Sequence, residues 1–218
     1  MTTVDPPAHD ERLDAALKDL AAEFAGVFGS ETVGACLTDS YRALLPARIH
    51  GYLPVLAYRF ARERLTAAAR AVAPEAHPQP LVLFVCTGNS GRSIMAAALM
   101  AQAASGRVHA VSAGTSPAAE VQPEVLTALQ ELGAGAGEAF PKPLSDEVVT
   151  NADIVVTMGC GDSCPVVPGR RYLDWDVADP AGHDLQTIRS IRDDIAHRVT
   201  ALLAELVDGP SHTTIREQ

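Results

Sequence analysis

One segment of eight residues, CTGNSGRS, contains three side chains that could take part in catalysis: Cys86, Arg92 and Ser93. The segment follows a run of apolar residues, 81–85, and precedes an alanine-rich stretch that favours a helix. A loop between a strand and a helix attracts anions, because its amides and the positive end of the helix dipole point the same way. A cysteine in such a field favours the thiolate, and an arginine offers a planar fork for two oxyanion oxygens. The pattern therefore predicts an anion-binding loop with Cys86 as its nucleophile.

Six consecutive residues are predicted to bind the oxyanion, five through the loop and the last through its guanidinium: Thr87, Gly88, Asn89, Ser90, Gly91 and Arg92. The two glycines permit backbone angles that other residues avoid. We expect Asn89 to brace the loop and Ser93 to donate a hydrogen bond to the sulfur of Cys86. The alternative, in which Cys86 is a small core residue and Arg92 a surface charge, leaves the combination of residue types unexplained.

Two further cysteines, Cys160 and Cys164, lie in the segment MGCGDSCP, which follows another apolar run. Two cysteines at short spacing can form half of a zinc site, but the sequence has no second such pair. The remaining cysteine, Cys36, lies among apolar residues of a predicted helix and is interpreted as a core thiol. Four unevenly spaced cysteines do not indicate a disulfide-stapled secreted domain. We therefore predict no metal site, which leaves packing or catalysis as the use of Cys160 and Cys164.

The elements that must position these residues follow from the spacing of apolar side chains. From residue 81 onward, short apolar runs alternate with segments of helical periodicity, which indicates a parallel sheet flanked by helices. Three amphipathic helices are predicted ahead of the sheet, at 9–28, 31–46 and 53–72. The strands are predicted at 81–85, 108–112, 154–158 and 171–175, and the later helices at 92–105, 121–133, 144–150 and 184–207.

A proline-rich stretch, APEAHPQP, separates the helical part from the part that contains the sheet. Such a stretch is typical of a linker, because it holds little apolar material and its prolines do not continue a helix. We therefore predict a three-helix domain over 1–75, a linker over 76–80, a sheet-containing domain over 81–208 and a flexible tail over 209–218.

The charge and hydropathy of the chain argue against two classes of partner. The 218 residues are 47% hydrophobic and carry a formal net charge of −10, which repels duplex nucleic acid and anionic membranes. No apolar run reaches the roughly 18 residues of a membrane span, and the first residues lack the pattern of a signal peptide. We predict a cytoplasmic protein with no nucleic-acid or membrane partner.

The segment VCTGNSGRS and its preceding strand resemble the catalytic loop of the low-molecular-weight protein tyrosine phosphatase superfamily, which includes a branch of arsenate reductases. The resemblance implies an α/β fold with a four-stranded parallel sheet flanked by helices. It also implies that Cys86 attacks an oxyanion that Arg92 binds. The family's general acid, an aspartate followed by proline, is matched by Asp179, which we prefer over the nearby Asp174 and Asp176.

Two additional cysteines after the third strand are found in the thioredoxin-coupled arsenate reductases of this superfamily. By this resemblance, Cys86 forms an adduct with arsenate, Cys160 attacks the sulfur of Cys86, and Cys164 then takes over the disulfide for reduction by thioredoxin. The implied reductant is thioredoxin, with no tightly bound cofactor. Phosphate and sulfate are the expected analogues of arsenate.

Three other functions remain open from the sequence. A low-molecular-weight phosphatase would need only Cys86, Arg92 and Asp179. A mycothiol-coupled arsenate reductase would use an external thiol in place of Cys160 and Cys164. A sensor of arsenite or of redox state would bind through its thiols without turnover.

The first 75 residues resemble a helical extension found in some actinobacterial-type members of this reductase group. The third predicted helix bears four arginines: Arg59, Arg62, Arg64 and Arg70. Such a run usually covers a solvated helix face. The more specific hypothesis is that the arginines dock against an acidic surface, either of the same chain or of a second copy in a homodimer.

Overall fold

The computed structural model describes residues 10–45, 52–135, 139–160 and 164–208. Its N-terminal region consists of three helices, α1 (Glu11–Glu23), α2 (Ser30–Leu44) and α3 (Leu53–Val72). Helix α1 begins after Asp10, whose side chain accepts a hydrogen bond from the amide of Arg12 at 2.9 Å. The sequence predicted this helix to extend to residue 28, but it ends at Glu23 because Gly26 turns the chain with a φ of +84°.

The remaining elements are β1 (Leu81–Cys86), α4 (Arg92–Ala104), β2 (His109–Gly114), α5 (Pro123–Gln130), α6 (Asp146–Asn151), β3 (Ile154–Met158), β4 (Arg171–Asp174) and α7 (Leu185–Asp208). The four strands form one sheet in the order β2-β1-β3-β4, and each neighbouring pair is parallel. The predicted fold class, a four-stranded parallel sheet flanked by helices and preceded by three helices, is confirmed.

Strand β1 lies between β2 and β3 and all six of its residues are buried. Its side chains alternate between two cores, as the two-residue period of a strand requires. Val82, Phe84 and Cys86 face the core formed with α4, α5 and α7, whereas Leu83 and Val85 face the core formed with α6. Cys86 is therefore held at the end of the most buried strand.

The helical region docks against the rest of the same chain through charged and apolar contacts. Arg64 pairs with Glu147 at 2.7 Å, and Arg70 pairs with Asp153 at 2.7 Å. Ala67 of α3 also packs into the core beside the sheet. Arg70 and Arg64 thus dock against acidic groups of the same chain.

The predicted domain boundaries at 75 and 81 stay predictions, and the predicted tail over 209–218 lies outside the described residues. His77 and Gln79 lie between these two boundaries. Their carbonyl oxygens accept hydrogen bonds from Arg70 of α3, at 3.2 Å and 2.6 Å. Among the described helices, none is long and apolar enough to cross a membrane.

Candidate active site

Cys86 is the last residue of β1 and is 3% exposed. The sulfur lies 3.0 Å from Ser93 Oγ, and Asn89 Nδ2 donates a hydrogen bond to the same Oγ at 2.9 Å. Because Ser93 Oγ accepts the hydrogen of Asn89, its own hydrogen can point at the sulfur. The structure thus brings Cys86, Asn89 and Ser93 into one group of hydrogen-bonded side chains.

The carbonyl groups of the loop after β1 are bound by a second segment of the chain, residues 115–122. The amides of Thr115, Ser116, Ala118 and Gln122 donate to the carbonyl oxygens of Cys86, Thr87, Gly88 and Ser90, at distances of 2.8 to 3.2 Å. By contrast, the described part of the chain provides no acceptor for the amides of residues 88–91. Unpaired amides in a loop that precedes a helix form an anion site.

Sequence reasoning missed this role of residues 115–122. The signal that could have found it is Gly114, which precedes the segment. A Cβ atom at Gly114 would lie 2.7 Å from the carbonyl oxygen of Thr87 and 2.9 Å from the amide nitrogen of Asn89. Only glycine lets the two segments approach this closely.

Arg92 begins α4 and is 8% exposed. Its Nη2 donates to Asp179 Oδ2 at 2.7 Å, and its Nη1 donates to the carbonyl oxygen of Val177 at 3.4 Å. The first turn of α4 contains no acidic residue and no side chain caps it, so the positive end of the helix dipole stays available to an anion. The guanidinium and the carboxylate thus lie at the same end of the helix.

The structure distinguishes Asp179 from the two nearby aspartates. Asp179 contacts Arg92, and its second oxygen accepts the amide of Ala181 at 3.0 Å. Asp174 instead accepts a hydrogen bond from Thr157 at 2.6 Å, and the carbonyl of Asp176 accepts from Arg198 at 2.9 Å. Of the three candidates, Asp179 is therefore the one whose carboxylate contacts Arg92.

Cys160 follows β3, whose last residue, Met158, is the register partner of Cys86. Cys160 and Cys164 lie close enough for each to shift the pKa of the other, and both residues are buried beside the sheet. The residues between them, 161–163, lie outside the described part of the chain. The third-strand loop thus places a pair of thiols at the same sheet end as Cys86.

The two loop thiols differ in acidity. Burial raises the pKa of Cys160, and hydrogen bonds from Cys164 and from backbone groups oppose part of that rise. Burial, the charge of Cys160 and the hydrogen bond to Cys160 together raise the pKa of Cys164 to about 11. Some interactions thus oppose the effect of burial at Cys160, whereas every cause that acts on Cys164 raises its pKa. The charge of Cys86 is a further cause of the raised pKa of Cys160, as expected for two neighbouring thiols.

Tyr172 fastens the second half of the cysteine loop. Its hydroxyl donates to the carbonyl oxygen of Pro165 at 2.9 Å and accepts the amide of Val167 at 2.9 Å. Trp175 is buried, with its ring centre 5.7 Å from that of Phe84. Both residues are near Asp179 in the sequence, but Tyr172 binds the backbone of the cysteine loop and Trp175 packs in the core.

Cys36 is buried within α2 and its sulfur lies 3.8 Å from the carbonyl oxygen of Ala61. Burial raises the pKa of this thiol, so it stays protonated in the core of the helical region. Within the described ranges, no group of three or more histidine, cysteine or acidic side chains could hold a metal ion.

Comparisons with known proteins agree with this geometry. Residues 81–210 match the family model "Low molecular weight phosphotyrosine protein phosphatase", and residues 13–69 match "Protein-tyrosine-phosphatase-like, N-terminal domain". An arsenate reductase of Staphylococcus epidermidis is 33% identical over 129 residues, which span 54% of this chain and 96% of that protein.

Two solved structures show how far the similarity extends. The thioredoxin-dependent arsenate reductase of Corynebacterium glutamicum is 42% identical, with a TM-score of 0.81, over 91% of this chain and 98% of that one. An arginine phosphatase of Geobacillus stearothermophilus is 28% identical, with a TM-score of 0.51, over 58% of this chain and 92% of that one. The chain therefore belongs to the low molecular weight phosphotyrosine protein phosphatase family.

Proposed function

We propose that this protein reduces arsenate to arsenite with Cys86, Cys160 and Cys164, and that thioredoxin restores the thiols. The observation that carries the proposal is the pair of buried thiols, Cys160 and Cys164, that follows β3, the strand next to the one that ends at Cys86. A phosphatase has no use for this pair. The similarity to arsenate reductases, one of them thioredoxin-dependent, supports the same conclusion.

Binding comes first and depends on local groups. The catalytic part of the chain is acidic, so long-range attraction does not bring arsenate to the site. Instead, the amides of residues 88–91 and the fork of Arg92 contact the oxyanion. Arg92 leaves its contact with Asp179 for the anion, since the guanidinium binds two oxygens of one oxyanion better than one carboxylate oxygen.

Attack by Cys86 on arsenic then forms a bond between sulfur and arsenic. One arsenate oxygen leaves with a proton from Asp179, which lies beside Arg92 and is 56% exposed at its side chain. General acid catalysis of this kind contributes roughly a hundredfold to ten-thousandfold in rate. The adduct still holds arsenic in its +5 state.

Reduction occurs when the Cys160 thiolate attacks the sulfur of Cys86. A disulfide forms, the electron pair of the sulfur–arsenic bond passes to arsenic, and arsenite leaves with arsenic in its +3 state. Cys164 then attacks Cys160, forms the second disulfide and releases Cys86 as a thiolate. A thioredoxin dithiol reduces the disulfide of Cys160 and Cys164. We place this cycle in the cytoplasm, where thioredoxin keeps thiols reduced.

This order of thiol attacks agrees with their acidities. The interactions with Cys164 and with backbone groups lower the pKa of Cys160 against the effect of burial, whereas every cause that acts on Cys164 raises its pKa. The thiol that attacks first should be the one with the larger thiolate fraction. Once Cys160 is consumed in the disulfide with Cys86, its charge no longer raises the pKa of Cys164, and Cys164 becomes the next nucleophile.

The test is arsenate-dependent oxidation of NADPH in the presence of thioredoxin and thioredoxin reductase. Cys160→Ser should abolish release of arsenite, whereas Cys164→Ser should allow one turnover and stop with a disulfide between Cys86 and Cys160. The matched control is Cys36→Ala, which removes a buried thiol outside the site and should preserve turnover.

Two results would overturn the proposal. Absence of arsenate-dependent turnover, together with hydrolysis of an aryl phosphate, would assign the chain to the phosphatases. Sustained turnover of the double variant Cys160→Ser, Cys164→Ser with mycothiol as the reductant would show that the loop thiols are dispensable.

A further inference from the structure

A buried ion pair links the helical region to the part that holds the active site. Lys142 Nζ lies 3.4 Å from Glu63 Oε2 of α3, and their side chains are 9% and 20% exposed. The ammonium also lies 5.1 Å from the ring centre of Phe140, which packs into the core of the three helices. The side chain of Lys142 is thus held by the helical region.

The main chain of Lys142 makes the next contact. Its amide donates to Asn89 Oδ1 at 2.9 Å, and its carbonyl accepts the amide of Gly114 at 3.0 Å. Asn89 is fully buried and has a φ of +44°. A buried amide side chain in this strained conformation is oriented by its hydrogen-bond partners.

From Asn89 the path continues to the nucleophile. Asn89 Nδ2 donates to Ser93 Oγ at 2.9 Å, and Ser93 Oγ lies 3.0 Å from Cys86 Sγ. Three consecutive hydrogen bonds therefore connect the amide of Lys142 to the sulfur. The donors of the first two lie on the side of Lys142, and because Ser93 Oγ accepts from Asn89, its own hydrogen is free to point at the sulfur. Such chains polarise one another, and a donor aimed at the sulfur favours the thiolate.

We propose that Glu63 is a positioning residue for Cys86, through which the helical region sets the reactivity of the catalytic thiolate. Glu63 holds Lys142, the amide of Lys142 orients Asn89, and Asn89 leaves the hydrogen of Ser93 directed at the sulfur. The inference rests on the proposed function only in taking Cys86 as the nucleophile.

The direct effect of charge gives a contrasting expectation. The negative charge of Glu63 acting through space disfavours a thiolate, whereas the positive charge of Lys142 favours it. Arg59 also faces this pair, and its charge and that of Lys142 oppose the rise that burial causes in the pKa of Glu63. Charge alone therefore predicts opposite effects from neutralising Glu63 and Lys142, whereas positioning predicts the same effect from both.

The experiment measures alkylation of Cys86 by iodoacetamide against pH in the full chain that carries Cys160→Ser and Cys164→Ser. Peptide mass spectrometry follows Cys86 alone. Both Glu63→Gln and Lys142→Met should slow alkylation at pH 7 by about threefold and displace the pH profile upward by about half a unit. The matched control, Glu147→Gln, breaks another ion pair of α3 and should leave the profile unchanged.

Faster alkylation in Glu63→Gln with slower alkylation in Lys142→Met would overturn the proposal, as would unchanged profiles in both. Lys142→Arg retains the charge and should react nearly as the parent does, which separates a lost contact from a lost fold. In a double-mutant cycle, adding Glu63→Gln to Asn89→Ala should slow alkylation no further; additive losses would show that Glu63 does not act through Asn89.

The assay contains neither arsenate nor thioredoxin. A chain that failed to reduce arsenate would still show the displaced profile, so failure of the proposed function and failure of this inference are distinguishable.

Discussion

Replacing Gly159 by alanine should displace the guanidinium of Arg92 and so lower the rate of arsenate reduction. Gly159 has a φ of +70°, and a Cβ atom there would lie 2.5 Å from Arg92 Nη1. Carbon atoms favour contacts of about 3.5 Å, so the guanidinium would have to retreat by about 1 Å. The positive φ adds a cost of about 1–2 kcal/mol to the folded state.

The displacement should lower the kcat/KM for arsenate far more than the strain does. A misplacement of about 1 Å at a binding group can cost about a hundredfold in rate, or about 2.7 kcal/mol of transition-state stabilisation. The assay is steady-state reduction of arsenate with thioredoxin, together with calorimetric titration of phosphate and urea unfolding.

Gly169→Ala is the matched control for Gly159→Ala. Gly169 lies on the same connection between β3 and β4 and has a φ of +81°, but an added Cβ would meet no atom within 4 Å. Both variants should therefore lose about 1–2 kcal/mol of stability. Only Gly159→Ala should show a lower kcat/KM for arsenate and a lower affinity for phosphate. Equal kinetics in the two variants would refute the reasoning that Gly159 confines the guanidinium of Arg92.

Three further predictions concern single groups. Arg92→Lys preserves the charge but removes the fork, so phosphate affinity in calorimetry should fall by about 1.5–3 kcal/mol, and an unchanged affinity would contradict the role of the fork. Alkylation of Cys164, followed by mass spectrometry, should rise about tenfold per pH unit between about pH 7 and 10, since its pKa is raised to about 11; a plateau below about pH 9 would count against its burial. Although burial alone raises the pKa of Glu147, hydrogen bonds and attraction from Arg64 outweigh it and hold that pKa below its ordinary value. The pair therefore stabilises the fold above the ordinary pKa of a carboxyl group and loses this contribution as the pH falls through the lowered value. In urea unfolding, Glu147→Gln should cost roughly 1–2 kcal/mol at pH 7 and less at pH 4, and a pH-independent difference would show that the charge of Glu147 is not responsible.

The four strands and the loop after β1 could be predicted from the sequence, because the signals for them lie in residues that are adjacent in the chain. The buried strands are short runs of apolar residues, and β1 alternates between two cores as a strand must. Cys86, Ser93 and the residues between them are adjacent in the chain, so a strand, a short loop and a helix suffice to bring them together. The first helix was predicted too long because Val27 and Phe28 continue its apolar spacing beyond the turn at Gly26.

Contacts between distant segments could not be predicted in the same way. Arg92 and Asp179 are 87 positions apart, and the amide of Lys142 and Asn89 are 53 apart. Their meeting depends on how helices and loops pack around the sheet, and no periodicity in the sequence encodes that packing. The four arginines of α3 looked alike in the sequence, yet Arg62 pairs with Glu23 inside the helical region while Arg64 and Arg70 reach across to the sheet-containing part.

The sequence by itself determined which residues are available for chemistry: one thiol at the base of a glycine-containing loop, an arginine six residues later, and two thiols after another strand. The tertiary structure decided what each of them contacts. It pairs the loop carbonyls with the amides of residues 115–122, and it places Lys142 in contact with both Glu63 of the helical region and Asn89 of the loop. The physical reason is that a hydrogen bond requires its two atoms within about 3 Å, and only the packing of distant segments brings these atoms that close.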